Sequence, residues 1–371
     1  MAKQYNVACI VGTRPEVIKM APIVYELRRH SIITTTLIST GQHREMLDSM
    51  LKIFDLEPDV DLHLMKHNQT LSNLTGEACI HLEPILKNKK YDLVLAQGDT
   101  TTTFVAALTA FYLKIPFGHV EAGLRSRNIH EPFPEEMNRV VASLIATLHF
   151  APTEEEKANL LKENLPEKNI FVTGNTAIDA LCYVRNKKIN IPFSLPENKR
   201  LILTTVHHRE NFGDGLENIC LAILKLAETI SDIFFIIPVH PNPNVKRVTQ
   251  KMLGHHPSIL LTEPLNYDVF VALMEKSYLI MTDSGGIEEE APALCKPLIV
   301  LRSITERPKV ISLGLGKLVG NNTGSIVNTT LEVLNNPEIY NSMIKNISPY
   351  GDGKTAKRIV DIIMDEWEKS E

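Results

Sequence analysis

Three acidic residues stand in the sequence where carboxylates could transfer protons. Asp99 follows the apolar run LVLAQG, Glu121 follows IPFGHV, and Glu135 follows Pro134. Neighbouring or partly buried carboxylates have separated pKa values, so that one can act as an acid while another acts as a base. His207, at the end of an apolar run in the second half of the chain, would add a further titratable group. These four residues therefore predict general acid–base catalysis.

Each of these residues also has a simpler structural interpretation. Asp99 precedes four threonines and could cap a helix. Glu135 and its neighbour Glu136 could complement the dipole in the first turn of a helix. Capping does not explain Glu121, because it directly follows a predicted strand. A histidine at the end of a strand is commonly a hydrogen-bonded residue at the edge of the core, which is the interpretation favoured for His119, His149 and His240.

The segment DSGGIEEEAP, residues 283–292, predicts a phosphate site. Ser284, Gly285 and Gly286 precede a predicted helix, whose unpaired N–H groups and dipole attract anions. The alternative is an Asp or Ser cap with acidic residues that complement the dipole. Glu290, one turn further on, could accept hydrogen bonds from ribose hydroxyls. The chain has no G-x-G-x-x-G and no G-x-x-x-x-G-K-[ST], which disfavours hydride-transfer cofactors and P-loop hydrolysis.

The segment GTRPEVIK, residues 12–19, predicts a second group of ligand contacts. Gly12 permits a tight turn after a strand, and Pro15 is favourable at the first helical position. Arg14 would then lie at the start of a helix, where its guanidinium can grip phosphate. Lys19 lies about 500° further round the helix and is not stacked above Arg14, but it can reach the same site. The alternative is a pair of surface cations.

All of these segments follow apolar runs of strand length, which alternate along the chain with amphipathic helical runs. Such alternation predicts an α/β fold with parallel sheets covered by helices on both faces. Since ligands bind beyond the carboxyl ends of such strands, we expect two Rossmann-like doubly wound domains facing each other across a cleft that holds one shared site. The predicted strands are Asn6–Val11, Ile33–Ser39, Leu93–Gln97, Phe117–Val120, Leu148–Ala151, Ile170–Val172, Leu201–Val206, Ile233–Val239, Leu279–Thr282 and Leu298–Leu301.

The length of 371 residues also favours two domains. We predict an N-terminal domain over residues 1–175, which carries the carboxylates, and a C-terminal domain over 176–354, which carries the phosphate site. The polar stretch NKKINIPFSLPENKR, residues 186–200, is typical of a linker. We expect the final helix, within residues 355–371, to pack back on the first domain.

Composition excludes several classes of function. The net charge of −5 gives no reason to expect nucleic acid or an anionic membrane as a partner. No apolar run approaches the roughly 20 residues of a membrane-spanning helix, and no signal peptide is expected. The five dispersed cysteines are typical of reduced thiols, so we predict a cytoplasmic protein. No spacing of histidines or acids indicates a metal site.

Several blocks together resemble the non-hydrolysing UDP-N-acetylglucosamine 2-epimerases. The resemblance runs from about residue 5 to about residue 365 and keeps the family's order. The blocks are GTRPEVIKMAP, GQHREML, QGDTTTT, HVEAGLRS, PFPEEMNR, HHREN, DSGGIEEEAP and TERP. The resemblance implies two Rossmann-like domains of the GT-B type, usually a homodimer, with no metal or redox cofactor.

The resemblance also implies a reaction and roles for single residues. UDP-N-acetylglucosamine and UDP-N-acetylmannosamine would interconvert by elimination of UDP to 2-acetamidoglucal and re-addition with inversion at C2. By this resemblance, Asp99, Glu121 and Glu135 transfer protons at C2, and His207 lies near the leaving phosphate. The remaining family positions are Arg14, Ser284 and Gly285 at the diphosphate, Glu290 at the ribose, Phe270 beside uracil, and Lys19 and Arg307 lining the site.

Some residues depart from the family pattern. His208 stands where the family often has an arginine, while Glu45 and Asn68 replace a glutamine and an arginine expected at a second, activating substrate position. These departures put activation by substrate in doubt and leave the chemistry untouched. The alternatives are an epimerase of a related UDP-2,3-diacetamido sugar, a GT-B glycosyltransferase and a non-enzymatic sensor of nucleotide sugars.

Overall fold

The protein is represented by a computed structural model that describes residues 3–41, 44–66, 69–206, 211 and 213–369. The chain divides into two compact units. The first comprises Met1–Val184 and Tyr350–Glu371, and the second comprises Arg185–Pro349.

Within the described residues, the first unit contains a seven-stranded parallel sheet with the order β3-β2-β1-β4-β5-β6-β7. Its strands are β1 (Tyr5–Val11), β2 (Ile33–Ser39), β3 (Val60–Asp61), β4 (Leu93–Gln97), β5 (Phe117–Val120), β6 (Leu148–Ala151) and β7 (Ile170–Val172). Its helices are α1 (Arg14–Arg29), α2 (Arg44–Ile53), α3 (Leu71–Asn88), α4 (Thr101–Tyr112), α5 (Glu135–Ile145), α6 (Glu154–Lys162), α7 (Thr176–Arg185) and α15 (Thr355–Glu368). The strand order reverses between β1 and β4, which is where doubly wound sheets place their sites.

The second unit repeats this plan. The part of it that the structure describes has a six-stranded parallel sheet with the order β10-β9-β8-β11-β12-β13, which reverses between β8 and β11. Its strands are β8 (Arg200–Thr205), β9 (Ile233–Pro238), β10 (Ile259–Thr262), β11 (Leu279–Thr282), β12 (Leu298–Val300) and β13 (Gly316–Leu318). Its helices are α8 (Asp214–Thr229), α9 (Pro243–Leu253), α10 (Tyr267–Lys276), α11 (Gly285–Ala293), α12 (Pro308–Ser312), α13 (Thr323–Asn335) and α14 (Pro337–Met343).

The central strands are buried on both faces, as parallel sheets covered by helices require. In β1 every residue from Val7 to Val11 is buried, and the segments Leu93–Gln97 and Leu279–Thr282 are buried throughout. These rigid strands end at the loops that carry the candidate site residues. The sheets therefore fix the positions of those loops.

The division of the chain differs from the predicted boundaries at 175 and 354. Helix α7 belongs to the first unit, because its Asp179 carboxylate accepts the backbone N–H groups of Thr355 (3.2 Å) and Ala356 (2.9 Å) at the start of α15. At the other end of α15, Trp367 stacks on Tyr5 with ring centroids 4.0 Å apart. The final helix therefore packs on the first unit. Between α7 and β8 the chain forms neither helix nor strand.

Candidate active site

Glu121 lies directly after β5 in a backbone conformation that side chains rarely adopt. Its φ of 63° is in the left-handed region, and strain of this kind is concentrated at functional sites. The residue is only 8% exposed. Its carboxylate accepts a hydrogen bond from Lys19 Nζ at 2.5 Å, another from Asn175 Nδ2 at 2.8 Å, and one from the side-chain amide of Gln97. The surrounding structure thus determines where this carboxylate points.

Asp99 follows β4 and has different surroundings. Its Oδ2 atom accepts a hydrogen bond from Arg139 Nε at 2.8 Å and forms an ion pair with Nη2 at 2.7 Å. Burial raises the pKa of Asp99 above its usual range, the Arg139 guanidinium opposes this shift, and the charge of Glu121 adds to it. Asn138 Nδ2 also donates to the backbone carbonyl of Asp99 at 2.8 Å, so that α5 holds both the backbone and the side chain.

The structural interpretation of Asp99 as a helix cap is wrong. Helix α4 is capped by Thr100, whose hydroxyl oxygen accepts the N–H of Thr103 at 3.3 Å. The carboxylate of Asp99 therefore plays no part in capping α4 and is bound by Arg139 instead.

The first turn of α5 separates the two neighbouring glutamates. Glu136 is buried and accepts the backbone N–H groups of Ser126 and Arg127 at 3.0 Å each. Burial alone would raise the pKa of Glu136, but these donors and Arg139 outweigh it and lower the pKa. Glu135 is half-buried, and its side chain makes no hydrogen bond to the described residues. Glu136 is therefore the structural acid of the pair, and Glu135 remains the candidate for chemistry.

The structure describes some of the histidines singled out in the sequence and not others. His207 and His208 lie outside the described residues. His119 and His149 are buried, and burial lowers the pKa of each to about 4, so both are neutral near pH 7. The Nε2–H of His119 donates to the Gly98 carbonyl at 2.7 Å, which supports the loop before Asp99. The interpretation of His119 and His149 as core residues is confirmed.

Arg14 and Lys19 occupy the first part of α1, as predicted. Arg14 is exposed in the first turn, and Pro15 follows it. Lys19, one turn further on, pairs with Glu121, so it belongs to the carboxylate group of the first unit.

In the second unit, the start of α11 is open for an anion. Ser284 precedes the helix, but its side chain makes no capping hydrogen bond. Gly286 is exposed, and a Cβ atom built at Gly285 would lie 3.7 Å from Cζ of Arg307. Arg307 is held there by Glu289, whose Oε1 accepts from Nε at 2.5 Å. Backbone N–H groups and a guanidinium thus lie together, as a phosphate site requires.

The acidic run of α11 begins with Glu288 in the first turn of the helix, where an acid complements the dipole. Glu288, Glu289 and Glu290 are all buried. Glu290 Oε1 accepts the hydroxyl of Tyr267 at 2.7 Å. Phe270 lies half-buried on α10, one turn after Tyr267.

Sequence reasoning missed the residues that hold the candidate groups in place. Gln97, Asn175 and Arg139 act on the carboxylates, while Tyr267 and Glu289 act on Glu290 and Arg307. Arg139 and Glu289 stand inside blocks that the sequence analysis quoted, and their charge was an available signal. Asn175 and Tyr267 lie in segments without a distinctive pattern, so only the fold reveals them.

Two kinds of feature are absent from the described residues. In that part of the chain no three His, Cys, Asp or Glu residues are grouped as a metal would require. None of the helices described is long and apolar enough to cross a membrane.

The architecture defines the class of protein to which this chain belongs. The chain contains two doubly wound parallel sheets, as proteins built from two Rossmann-like domains do. Candidate carboxylates follow the strands of the first sheet, and a helix start with backbone donors follows a strand of the second. The predicted fold class is confirmed. A family model described as UDP-N-acetylglucosamine 2-epimerase matches residues 25–364. The chain therefore belongs to the UDP-N-acetylglucosamine 2-epimerase family, which confirms the resemblance.

Individual relatives agree with this assignment. The UDP-N-acetylglucosamine 2-epimerase of Neisseria meningitidis is 47% identical over 97% of this chain and 99% of its own length. That of Escherichia coli is 45% identical over 96% and 98%. A crystal structure of the Neisseria meningitidis enzyme bound to UDP-GlcNAc has a TM-score of 0.89 at 46% identity and covers 97% of this chain and all of that one. One from Methanocaldococcus jannaschii, with UDP-GlcNAc and UDP, has a TM-score of 0.77 at 34% identity and covers 97% and 99%.

Proposed function

We propose that this chain interconverts UDP-N-acetylglucosamine and UDP-N-acetylmannosamine without hydrolysis, by inversion at C2. Family membership supports the reaction, and the observation that carries it for this chain is the unlike pair Asp99 and Glu121. Inversion at C2 requires one group to remove a proton from one face and another group to return a proton to the opposite face. Two carboxylates in contrasting surroundings meet that requirement.

The reaction proceeds by elimination and re-addition. Hydrogen at C2 is not acidic enough for simple deprotonation. As the C1–O bond breaks, positive charge developing at C1 makes the C2 proton removable, and the electrons of the C2–H bond form the C1–C2 double bond of 2-acetamidoglucal. UDP leaves with the electrons of the C1–O bond. In the return step a proton is added to the other face of C2, and UDP attacks C1.

The contacts of the two carboxylates support a division of roles between them. Lys19, Asn175 and Gln97 surround Glu121 with donors, an arrangement that suits a carboxylate and hence the base. Burial raises the pKa of Asp99, so it retains a proton more readily than an ordinary aspartic acid does. We therefore propose Asp99 as the acid for the opposite face. In the reverse reaction the two exchange roles. Glu135 is proposed as a third carboxylate at C2.

The UDP moiety is assigned to the open helix start of the second unit. Ser284, Gly285 and Gly286 donate to the diphosphate, and cations neutralise the charge that develops as UDP leaves. Glu290 accepts from the ribose hydroxyls. The remaining proposed contacts are Arg14 and His207 near the diphosphate, Phe270 beside uracil, and Lys19 and Arg307 lining the site.

A single incubation tests the proposal. The protein is given UDP-N-acetylglucosamine alone in deuterated water, and the products are followed by NMR and mass spectrometry. We expect UDP-N-acetylmannosamine that carries deuterium at C2, because the returned proton comes from a residue that exchanges with solvent. Inertness without an acceptor would instead indicate a glycosyltransferase, and binding without turnover would indicate a sensor. Free UDP with N-acetylmannosamine would indicate hydrolysis, and turnover only of a 2,3-diacetamido analogue would indicate that substrate.

Replacing Glu290 by Gln is expected to weaken UDP binding by about 10- to 100-fold, because a hydrogen bond to a charged acceptor contributes about 1.5–3 kcal/mol. Isothermal titration calorimetry with UDP measures the change. Glu263→Gln is the matched control, since Glu263 is an exposed glutamate of the same unit that pairs with Lys246. Equal UDP affinity in the two variants would remove Glu290 from the ribose site.

We also propose that the protein is a homodimer formed through the first unit. Four apolar side chains between 61% and 69% exposed lie on the adjoining helices α3, α4 and α5: Ile80, Phe111, Tyr112 and Leu144. Exposed apolar side chains grouped in this way mark protein interfaces.

A cytoplasmic location remains a prediction.

Phe111→Asp is expected to shift the dimer to monomer, because burying an unpaired charge in an apolar interface is costly. Light scattering coupled to size-exclusion chromatography measures the mass. Leu221→Asp, which alters an exposed leucine of the second unit, should leave the dimer intact. A dimer that persists in Phe111→Asp at micromolar concentration argues against this surface.

A further inference from the structure

We propose that Glu16 is a positioning residue for Asp99, and that its carboxylate ties the loop after β1 to the loop after β4. This inference rests on the proposed function. Nothing in the acid–base chemistry itself requires Glu16, which lies away from solvent with only 1% of its surface exposed.

The two oxygens of Glu16 bind to two different loops. Oε2 accepts the backbone N–H groups of Gly12 at 2.6 Å and Thr13 at 2.7 Å, at the start of α1. Oε1 accepts the hydroxyl of Thr100, the residue that follows Asp99. A single side chain therefore joins segments that are 84 positions apart in the sequence.

This arrangement exceeds the ordinary role of a glutamate in a helix N-terminal turn. A capping-box glutamate reaches back to the N–H of the capping residue, here Thr13. Glu16 in addition binds Gly12 and, through its other oxygen, the loop after β4. Helix capping accounts for one of these contacts, and the connection to Thr100 needs another explanation.

The connection continues from Thr100 to the proposed catalytic carboxylates. Thr103, one turn further along α4, places its hydroxyl 2.6 Å from the carbonyl of Gln97 and 3.4 Å from Glu16 Oε1. The side chain of Gln97 in turn donates to Glu121. Gln97 and Thr100 flank Asp99 in the chain, so Glu16 and Thr103 fix the backbone on both sides of it.

Close packing also couples the loop after β1 to the start of α4. A Cβ atom at Gly12 would lie 2.2 Å from the hydroxyl oxygens of both Thr40 and Thr102. Those two hydroxyls are 3.0 Å apart and hydrogen-bonded to each other. Because Gly12 has no free space on this side, a displacement of the loop after β1 also shifts the start of α4. Three of the four threonines after Asp99 therefore have structural contacts. Thr100 binds Glu16, Thr102 packs against Gly12, and Thr103 binds the Gln97 carbonyl.

The chemistry explains why position matters here. Proton transfer requires the donor and the reacting carbon to be aligned within a few tenths of an ångström, and a displacement of about 1 Å can cost about 100-fold in rate. Burial raises the pKa of Glu16, while its hydrogen bonds oppose the shift. Replacing the carboxylate by an amide turns one acceptor into a donor and disturbs the loop of Asp99 with little change in volume.

The test is Glu16→Gln, with kcat and KM measured together. We expect kcat and the rate of C2 deuterium exchange to fall by about 10- to 100-fold, while KM and UDP affinity stay within about twofold. Glu156→Gln is the matched control. Glu156 is another buried glutamate in the first turn of a helix of the same unit, where the hydroxyl of its capping residue Thr153 donates to it at 2.5 Å. A purely structural role predicts similar losses of thermal stability and similar kcat in both variants.

A second pair of variants covers the case in which Glu16→Gln does not fold. Thr100→Ser keeps the hydroxyl that donates to Glu16, whereas Thr100→Val removes it with almost no change in shape. We expect Thr100→Ser to retain at least about ten times the kcat of Thr100→Val. Equal kcat in Glu16→Gln and Glu156→Gln, or in the two Thr100 variants, would overturn the inference. A wild-type protein without C2 exchange would overturn the proposed function instead.

Discussion

Glu121→Gln is expected to lower kcat by about 1,000-fold and to leave UDP affinity within about twofold of wild type. A positioned base contributes about 100- to 10,000-fold to such reactions, and an amide cannot accept the C2 proton. Glutamine has the same shape, so the hydrogen bond from Asn175 to Oε1 can persist. The substrate for this measurement is UDP-N-acetylglucosamine that carries deuterium at C2. NMR in ordinary water follows the replacement of this deuterium by hydrogen, which measures the chemical step directly.

The control for Glu121→Gln is Glu163→Gln. Glu163 belongs to the same unit and pairs with Arg125 through two hydrogen bonds of 2.6 and 2.8 Å, and its replacement tests the effect of losing an ion pair away from the proposed chemistry. We expect wild-type kcat in this control. Wild-type exchange at C2 in Glu121→Gln would eliminate that residue as the base.

Asp99→Asn is expected to lower kcat by about 100- to 1,000-fold, because the N–H protons of an amide are not acidic enough to be returned to C2. The same mechanism predicts a pH dependence in the wild type. Burial raises the pKa of Asp99, so its acid form persists to a higher pH than that of an ordinary aspartic acid and is lost as the pH rises through that pKa. The kcat for UDP-N-acetylglucosamine should therefore decline on the alkaline side.

The variant Arg139→Met tests whether the alkaline decline of kcat comes from the titration of Asp99 or from a general loss of structure. The guanidinium lowers the pKa of Asp99, so its removal raises the pKa further and moves the alkaline decline of kcat to higher pH. Profiles of kcat against pH for the two proteins give the comparison. An alkaline limb that stays in place, or moves to lower pH, contradicts the assignment of Asp99 as the acid.

The alternation of apolar runs predicted the main strands of both sheets, because central parallel strands are buried and bounded by turns. The strands Ile33–Ser39, Leu93–Gln97 and Leu279–Thr282 were predicted to the residue. The elements that were missed carry weaker signals. Strands β3 and β13 have two and three residues, and α13 is rich in threonine and asparagine, which are weak helix formers.

The candidate site shows a similar division. Strand ends indicated Asp99, Glu121, Ser284 and Arg14, because the position of a loop after a buried strand can be read from the pattern. The partners could not be predicted in this way. The hydrogen bond from Asn175 to Glu121 joins residues 54 positions apart, and that from Arg139 to Asp99 joins residues 40 positions apart. Such pairings depend on the strand order, which the sequence pattern does not specify.

The carboxylate of Glu16 also occupies backbone donors at the start of α1. Both sheets have the same central strand order, and a helix begins after the first strand of the first unit, where dinucleotide-binding proteins bind a pyrophosphate. Here the N–H groups of Gly12 and Thr13 are already saturated by the protein's own negative charge. We therefore expect the start of α1 to bind a diphosphate poorly, in contrast to the proposed diphosphate contacts Ser284, Gly285 and Gly286 at the start of α11.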